Sequence, residues 1–269
     1  MTRPKSRIAL VQTTATEDFA ANLAYALEQL GAAAAGGARL VAYPEVFLYV
    51  GGREGKLAHA QSLEGAVVAR FREEAARHGL WILLGSLHER IPGRDDKVYN
   101  TSVLIDPRGE TAGVYRKRNM FDVDLPDRRI RESDSNEPGT EPAPVIDTEL
   151  GKVGLTICFD LRFPALYRQL RRDGAEIVFV PSNFTFPTGS AHWEVLLRAR
   201  AIEGQVFLAA PAQVGKHNPK YTSYGHTALV DPWGAITAQA PDRPGITFGE
   251  IDLEYLDQVR AQIPIRGDG

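Results

Sequence analysis

One cysteine in 269 residues leaves no second thiol to pair with. An intrachain disulfide and a thiolate-cluster metal site are therefore excluded, and this usage fits a reducing compartment. Neither charge sign dominates. The chain has 31 Lys and Arg against 34 Asp and Glu, a net charge of −3, so no global field draws nucleic acid or an anionic membrane surface. No apolar run reaches the roughly 18 residues that a spanning helix needs. The opening Met1-Thr-Arg-Pro-Lys-Ser-Arg7 lacks the apolar centre of a signal peptide, and a cytoplasmic location is expected. Gly-x-Gly-x-x-Gly, the Walker loop and Gly-x-Ser-x-Gly are all missing, which disfavours a nucleotide-binding module and a serine hydrolase elbow. His192, His217 and His226 are not at zinc-ligand spacing. No metal and no cofactor are expected.

What the chain does have is an apolar content of 43%, enough for the core of one large α/β domain spanning residues 1–269. Strand-like runs occur at Arg7–Gln12, Arg39–Tyr43, Leu80–Leu87, Val98–Ile105, Thr111–Tyr115, Lys152–Cys158, Glu176–Val180, Phe207–Pro211, Gly225–Val230, Ile236–Ala240 and Ile246–Ile251. The turn Asp106-Pro-Arg-Gly109 joins the fourth and fifth of them. Helical spacing covers Asp18–Ala35, Glu64–His78, Pro164–Arg172 and Ala191–Glu203. Residues 117–145 hold four prolines and mixed charges and read as one long ordered loop. The reading is ten to twelve strands and four helices in a layered α/β arrangement. Asn100-Thr-Ser102 and Asn183-Phe-Thr185 match the glycosylation pattern by chance, and Arg266-Gly-Asp268 is a polar tail.

The single cysteine falls where chemistry is easiest to build. Cys158 ends a β-forming run in Gly151-Lys-Val-Gly-Leu-Thr-Ile-Cys-Phe-Asp-Leu-Arg-Phe-Pro164. A turn there can lift the sulfur beside the N–H groups of a helix start, where a thiol is placed to ionise and attack. A buried small hydrophobe is the competing reading. Cleaving an amide or nitrile with a thiol also needs a base and a clamp for the oxyanion. Glu45, after Val41-Ala-Tyr-Pro44, and Lys117, after Val114-Tyr-Arg116, stand at other strand ends, where functional groups gather in α/β sheets. Each is equally readable as a solvated loop charge. Residues 116–131 carry six basic and three acidic side chains, too mixed for a phosphate or nucleic-acid track. Spacing alone does not join positions 45, 117 and 158.

Taken together, several long segments resemble the nitrilase superfamily of carbon–nitrogen hydrolases, and within it the amidase branch. They are Tyr43-Pro-Glu45, Tyr115-Arg-Lys117, Phe121-Asp-Val-Asp-Leu-Pro126, Arg131-Glu-Ser133 and Gly154–Pro164. Further on come Pro181-Ser-Asn-Phe-Thr185, Pro187-Thr-Gly189, Ala191–Glu203, Thr222-Ser-Tyr-Gly-His226 and Asp231-Pro-Trp-Gly234. The resemblance spans nearly the whole chain. It implies a four-layer α-β-β-α sandwich that pairs as a homodimer through its α faces. It also implies a Glu45–Lys117–Cys158 triad. Glu132 would be a second glutamate that orients Lys117 or the substrate, or forms a structural salt bridge.

The implied chemistry starts with Glu45 taking the thiol proton while Lys117 holds the charge balance in favour of thiolate. Lys117 and the Phe159 backbone N–H would stabilise the oxyanion, and a thioester would follow. Arg162 is the matching cation for a substrate carboxylate, or else a structural pair. Phe184 and Thr188 would line the pocket, and Tyr49 would border it. The expected substrate is a small linear amide: first deaminated glutathione, split to 2-oxoglutarate and cysteinylglycine. The alternatives are 2-oxoglutaramate, an N-carbamoyl amide, or a non-catalytic scaffold that keeps the fold. Asn119 stands where the family usually has histidine, and Asn183 where it has a small residue. Both are expected near the pocket, where they bear on specificity.

Overall fold

The computed structural model of the protein describes residues 3, 5–125 and 128–265. Pro126 and the tail Arg266–Asp268 lie outside the described residues. In chain order the first half holds β1 (Ser6–Gln12), α1 (Phe19–Ala35), β2 (Leu40–Ala42), α2 (Arg53–Ala58), α3 (Ala66–His78), β3 (Trp81–Arg90), β4 (Val98–Ile105) and β5 (Thr111–Arg116). A hairpin of β6 (Asp122–Leu125) and β7 (Arg128–Arg131) follows, then a 3-10 turn at Glu132–Asp134, β8 (Val145–Thr148) and β9 (Gly151–Leu155). A second 3-10 turn at Cys158–Arg162 leads into α4 (Pro164–Arg172), β10 (Ile177–Phe179), α5 (Phe186–Gly204) and β11 (Phe207–Ala210). The chain closes with β12 (Val214–Asn218), β13 (Tyr221–Tyr224), β14 (Ala228–Val230), β15 (Ile236–Gln239), β16 (Gly245–Ile251) and α6 (Leu253–Gln262).

Two six-stranded sheets run in the orders β16-β1-β2-β3-β4-β5 and β15-β14-β11-β10-β9-β8. Parallel β1, β2 and β3 form the centre of the first, and parallel β9, β10 and β11 that of the second. Side chains alternate across a strand, and the burial pattern shows what each face meets. In the first sheet Ile8, Leu10, Leu40 and Leu83 pack with Val153, Leu155, Ile177 and Leu208 of the second. Their neighbours Ala9, Val11, Val41, Ile82 and Leu84 pack instead with Ala26 and Leu30 of α1 and with Val68 and Phe71 of α3. On the far side Tyr167 and Leu170 of α4 and Trp193, Leu197 and Ala201 of α5 cover the second sheet. A strand buried on both faces needs no polar alternation, which is why these runs read as continuously apolar. The four-layer α-β-β-α sandwich is the observed fold.

Among the described residues there are sixteen strands and six α-helices, against the ten to twelve and four expected. The 117–145 stretch is not one loop: it folds into the β6–β7 hairpin and a 3-10 turn before β8 begins. Charge pairing rather than apolar periodicity holds that hairpin, with Arg131 Nη2 on both Asp124 oxygens at 2.8 Å. α2 escapes a periodicity reading because it buries no residue at all. α6 had a signal at its start: Asp252 caps it, accepting the Tyr255 N–H at 3.0 Å. Among the described residues no helix is long and apolar enough to cross a membrane.

Candidate active site

Three chain reversals bring the candidate residues together. Glu45 follows β2 and the tight Tyr43-Pro44 turn. Gly85 in β3 makes room for that turn, because a Cβ there would stand 1.8 Å from the Tyr43 carbonyl oxygen. The next residue, Ser86, accepts the Val46 N–H at 2.9 Å. Gln213, from beyond the second sheet, donates to the Glu45 carbonyl at 3.0 Å. Val46 sits at φ 49°, a left-handed conformation that costs a β-branched residue about 1–3 kcal/mol. Cys158 is also left-handed, at φ 47°. Such strain next to two candidate groups marks positions that the surrounding packing over-determines.

The cysteine elbow is anchored from behind. β9 ends at Leu155, and the Cys158 N–H is taken by the Pro181 carbonyl at 3.0 Å. Buried Asp160 receives the Ile157 N–H at 3.0 Å, the Tyr115 hydroxyl at 2.8 Å and the Asn119 amide at 2.7 Å. Burial raises the Asp160 carboxyl above the usual range despite these donors. Asn119 therefore braces the elbow. It lies near the pocket through Asp160 and does not line either cavity beside Cys158. Asn183 does line both. Its backbone hydrogen-bonds the thiol, and its carbonyl accepts the Tyr221 hydroxyl at 3.0 Å.

Lys117 comes directly off β5 and is 2% exposed. Its Nζ donates to Glu45 Oε1 at 2.9 Å and to Glu132 Oε2 at 2.8 Å. Glu132, on its 3-10 turn, also accepts the Phe121 N–H at 2.7 Å. Asn100 joins the two acids, with Nδ2 at 2.9 Å from Glu45 Oε1 and 3.2 Å from Glu132 Oε1. Burial alone would lower the Lys117 pKa, but the charges of Glu132 and Glu45 outweigh it and hold the ammonium well above its ordinary range. Burial alone would raise Glu132. The Lys117 charge and the donors around it keep it ionised and below the usual value. Both carboxylates and the lysine are nine-tenths buried or nearly so, so these contacts act in a low dielectric.

The thiol differs from the sequence expectation. Burial and the negative charge of Glu45 push its pKa well above normal and outweigh Lys117 and the Asn183 N–H. The thiol hydrogen-bonds Glu45, and these effects favour its neutral form, against the pull of Lys117 toward thiolate that the sequence reading named. Between the bonded N–H groups of Cys158 and Asp160, the Phe159 N–H has no acceptor among the described residues.

Cys158 opens on two spaces. One is a cavity of about 500 Å³ shared by Glu45, Lys117, Glu132, Tyr49, Lys56 and His88, within the size range of small-molecule sites. The other is a narrow cleft lined by Phe159, Arg162, Phe184 and Thr188. Arg162 is half-buried, its guanidinium 5.5 Å from the Phe184 ring and 3.2 Å from His192 Nδ1. Among the described residues its side-chain hydrogen-bond partner is His192, and no carboxylate is paired with it. The catalytic and substrate-binding candidates named from the sequence stand at one or other of these two spaces. Sequence reasoning missed Asn100, Gln213, Lys56 and His88. Asn100 stood out only as a glycosylation match, and Lys56 lies in a segment given no reading from the sequence. Among the described residues no group of three His, Cys, Asp or Glu is arranged to hold a metal ion.

Comparison with known proteins agrees with this geometry. Residues 7–261 match the carbon–nitrogen hydrolase family. The chain is 42% identical over 264 residues to the deaminated glutathione amidase of Bos taurus, covering 96% of this chain and 80% of that one. It is 40% identical over 258 residues to the Synechocystis protein of the same name, covering 95% of each. The nitrilase and fragile histidine triad fusion protein of Caenorhabditis elegans is 41% identical, and this chain spans 59% of its length. The crystal structure of that fusion protein superposes with a TM-score of 0.93 at 40% identity, over 98% of this chain and 65% of that one. A mutant amidase from Nesterenkonia sp. AN1 superposes at 0.80 with 28% identity, over 97% of this chain and 95% of that one. It shows the acetamide moiety of fluoroacetamide covalently added at its active site cysteine. The chain belongs to the carbon–nitrogen hydrolase family of the nitrilase superfamily and is a hydrolase acting on carbon–nitrogen amide bonds.

Proposed function

We propose that residues 1–269 form a single catalytic domain. It cleaves a small 2-oxo acid amide through a thioester on Cys158, with deaminated glutathione as the preferred substrate. The observation that carries this reading is one buried ammonium, Lys117, held between Glu45 and Glu132 beside a strained, protonated thiol. Because the thiol is neutral at rest, Glu45 takes its proton as the sulfur attacks the amide carbon. The carbonyl oxygen gains charge and is stabilised by Lys117 and the Phe159 N–H. Glu45 then returns the proton to the departing nitrogen, the C–N bond breaks, and an acyl thioester remains. Water, deprotonated by Glu45, adds to the thioester, and the acid leaves as the thiol is reprotonated. Glu132 holds Lys117 in place, and Arg162 receives a carboxylate on the acyl side, with Phe184 and Thr188 shaping the cleft.

The relatives called deaminated glutathione amidase support the substrate choice. Kinetics on deaminated glutathione and 2-oxoglutaramate side by side test it. The larger amide should have the higher kcat/KM, and preference for the shorter one would reassign the chain as an ω-amidase. Failure to form a thioester by intact mass, together with no product from either amide, would leave a scaffold that keeps the fold.

The same reading expects a cytoplasmic enzyme, since a lone free cysteine fits a reducing compartment. It also expects a homodimer joined through its helical faces. Val195 and Ile202 on α5 and Trp233 beside it are 69%, 48% and 52% exposed. They form one apolar strip, because the Trp233-Gly234 turn packs on Ile202 and on the Arg198 side chain. Val195→Asp should halve the sedimenting mass. A variant that still sediments as a dimer would place the contact elsewhere.

A further inference from the structure

A second ammonium enters the large cavity, and the proposed hydrolysis does not use it. Lys56 lies on α2, a helix without a single buried residue, yet its side chain runs inward to line the cavity. Its Nζ donates to Ser135 Oγ at 2.8 Å and to Asn136 Oδ1 at 2.7 Å. Both acceptors are neutral. Among the described residues no carboxylate lies within ion-pair distance of it, and the nearest two, Glu132 and Glu45, are already taken up by Lys117. An ammonium has three donors, so one is left over. Burial lowers the Lys56 pKa, with Lys117 adding its repulsion. His88 lines the same cavity, buried and pushed down to about 3 by burial and by Lys56, so its ring is neutral. Its Nδ1 has no hydrogen-bond partner among the described residues.

A half-buried cation held only by neutral acceptors gains from an anion that completes its shell. The orphaned His88 nitrogen is a second polar group in the same wall that the protein does not satisfy. Cys158 separates this wall from the narrow cleft that holds Arg162. The cavity is the roomier of the two spaces, at about 500 Å³. An acyl group pointing toward Arg162 would therefore leave the departing amine in the cavity with Lys56.

We infer that Lys56, seated on Ser135 and Asn136, receives a carboxylate carried by the leaving amine. The substrates would then be amides with an acid group on each side of the scissile bond. This rests on the amidase reading above and extends it to the leaving group. An incoming carboxylate pairs with the free donor and favours the charged form of Lys56. Lys56 is thus a specificity-determining residue, placed to act on binding more than on bond breaking.

The test uses three amides of the 2-oxoglutarate γ-carboxyl: that of cysteinylglycine, that of cysteinylglycinamide, in which the terminal acid is capped, and the simple amide 2-oxoglutaramate. Wild type should prefer the free acid over its capped form by about 10- to 100-fold in kcat/KM, the worth of one charge-assisted contact. K56M and K56Q should collapse that ratio toward one, through KM, while K56R keeps part of it. An unchanged ratio in K56M and K56Q overturns the inference. So does a wild type that turns over both dipeptide amides alike, and this result decides the matter even if the variants do not fold. If wild type cleaves the simple amide and neither dipeptide amide, the inference also fails, but the amidase reading stands. If it cleaves none of the three, the substrate reading itself fails.

Discussion

Cys158→Ala should abolish amide turnover, by about 10⁶-fold, the loss that follows removal of a covalent nucleophile. The rest of the site should survive the change. Lys117, Glu45 and Glu132 hold one another through hydrogen bonds that do not involve sulfur, and the elbow is fixed by Asp160 and the Pro181 carbonyl. Calorimetry should therefore still detect substrate binding to the alanine variant. Intact mass after mixing should show an acyl adduct on wild type and none on the variant. The raised thiol pKa adds a second readout. A group whose pKa is raised stays protonated until the pH exceeds that value. The ultraviolet thiolate absorbance, wild type minus variant, should be missing at neutral pH and emerge only above the usual thiol range. A thiolate already present at neutral pH would sink the concerted proton transfer to Glu45 and return the site to a preformed ion pair.

Lys117→Met should be nearly inactive and markedly unstable. Losing one oxyanion donor costs about 10²- to 10³-fold in kcat. The stability loss has a separate cause. The variant leaves Glu45 and Glu132 buried without their shared cation, and breaking such a pair costs about 3–5 kcal/mol, or roughly 10 °C in Tm for a chain of this size. Adding Glu132→Gln should recover part of the melting temperature and none of the activity, which separates the two effects. The pH dependence follows from the two shifts. Lys117 is raised above its unfolded value, so its contribution is present below that value and is lost as pH climbs through the folded one. Glu132 is lowered, so its contribution is present above the unfolded carboxylate value and fades as pH falls through the folded one. Wild type should thus outlast Lys117→Met most clearly across the neutral range. Melting curves that coincide there would show that the triad contributes no net stability.

The sequence by itself determined the local parts. Continuous apolar runs such as Leu80–Leu87 and Ile177–Phe179 become strands because both their faces are covered, and the periodic stripe of Glu64–His78 becomes α3. The strand end at Cys158 was legible for the same reason: β propensity stops where the turn begins. Glu45, Lys117 and Glu132 were recognisable through segments that resemble a family, not through any spacing rule.

Only the tertiary structure decided what those residues do together. Lys117 meets Glu45 across 72 positions of chain, and Asn100 meets it across 55. Such pairings are set by sheet order and by how close Gly85 lets the Tyr43-Pro44 turn approach, neither of which local propensity encodes. The state of the sulfur is also a tertiary property. Desolvation and the Glu45 charge act on it through space, so a cysteine that looked set to ionise is held as a thiol. Lys56 shows the same from the other side: it sits on a helix that buries no residue, and only the covering of Ser135 and Asn136 turns its ammonium toward the cavity. Propensity is written in neighbours along the chain, whereas charge state and convergence depend on which distant segments come to lie on top.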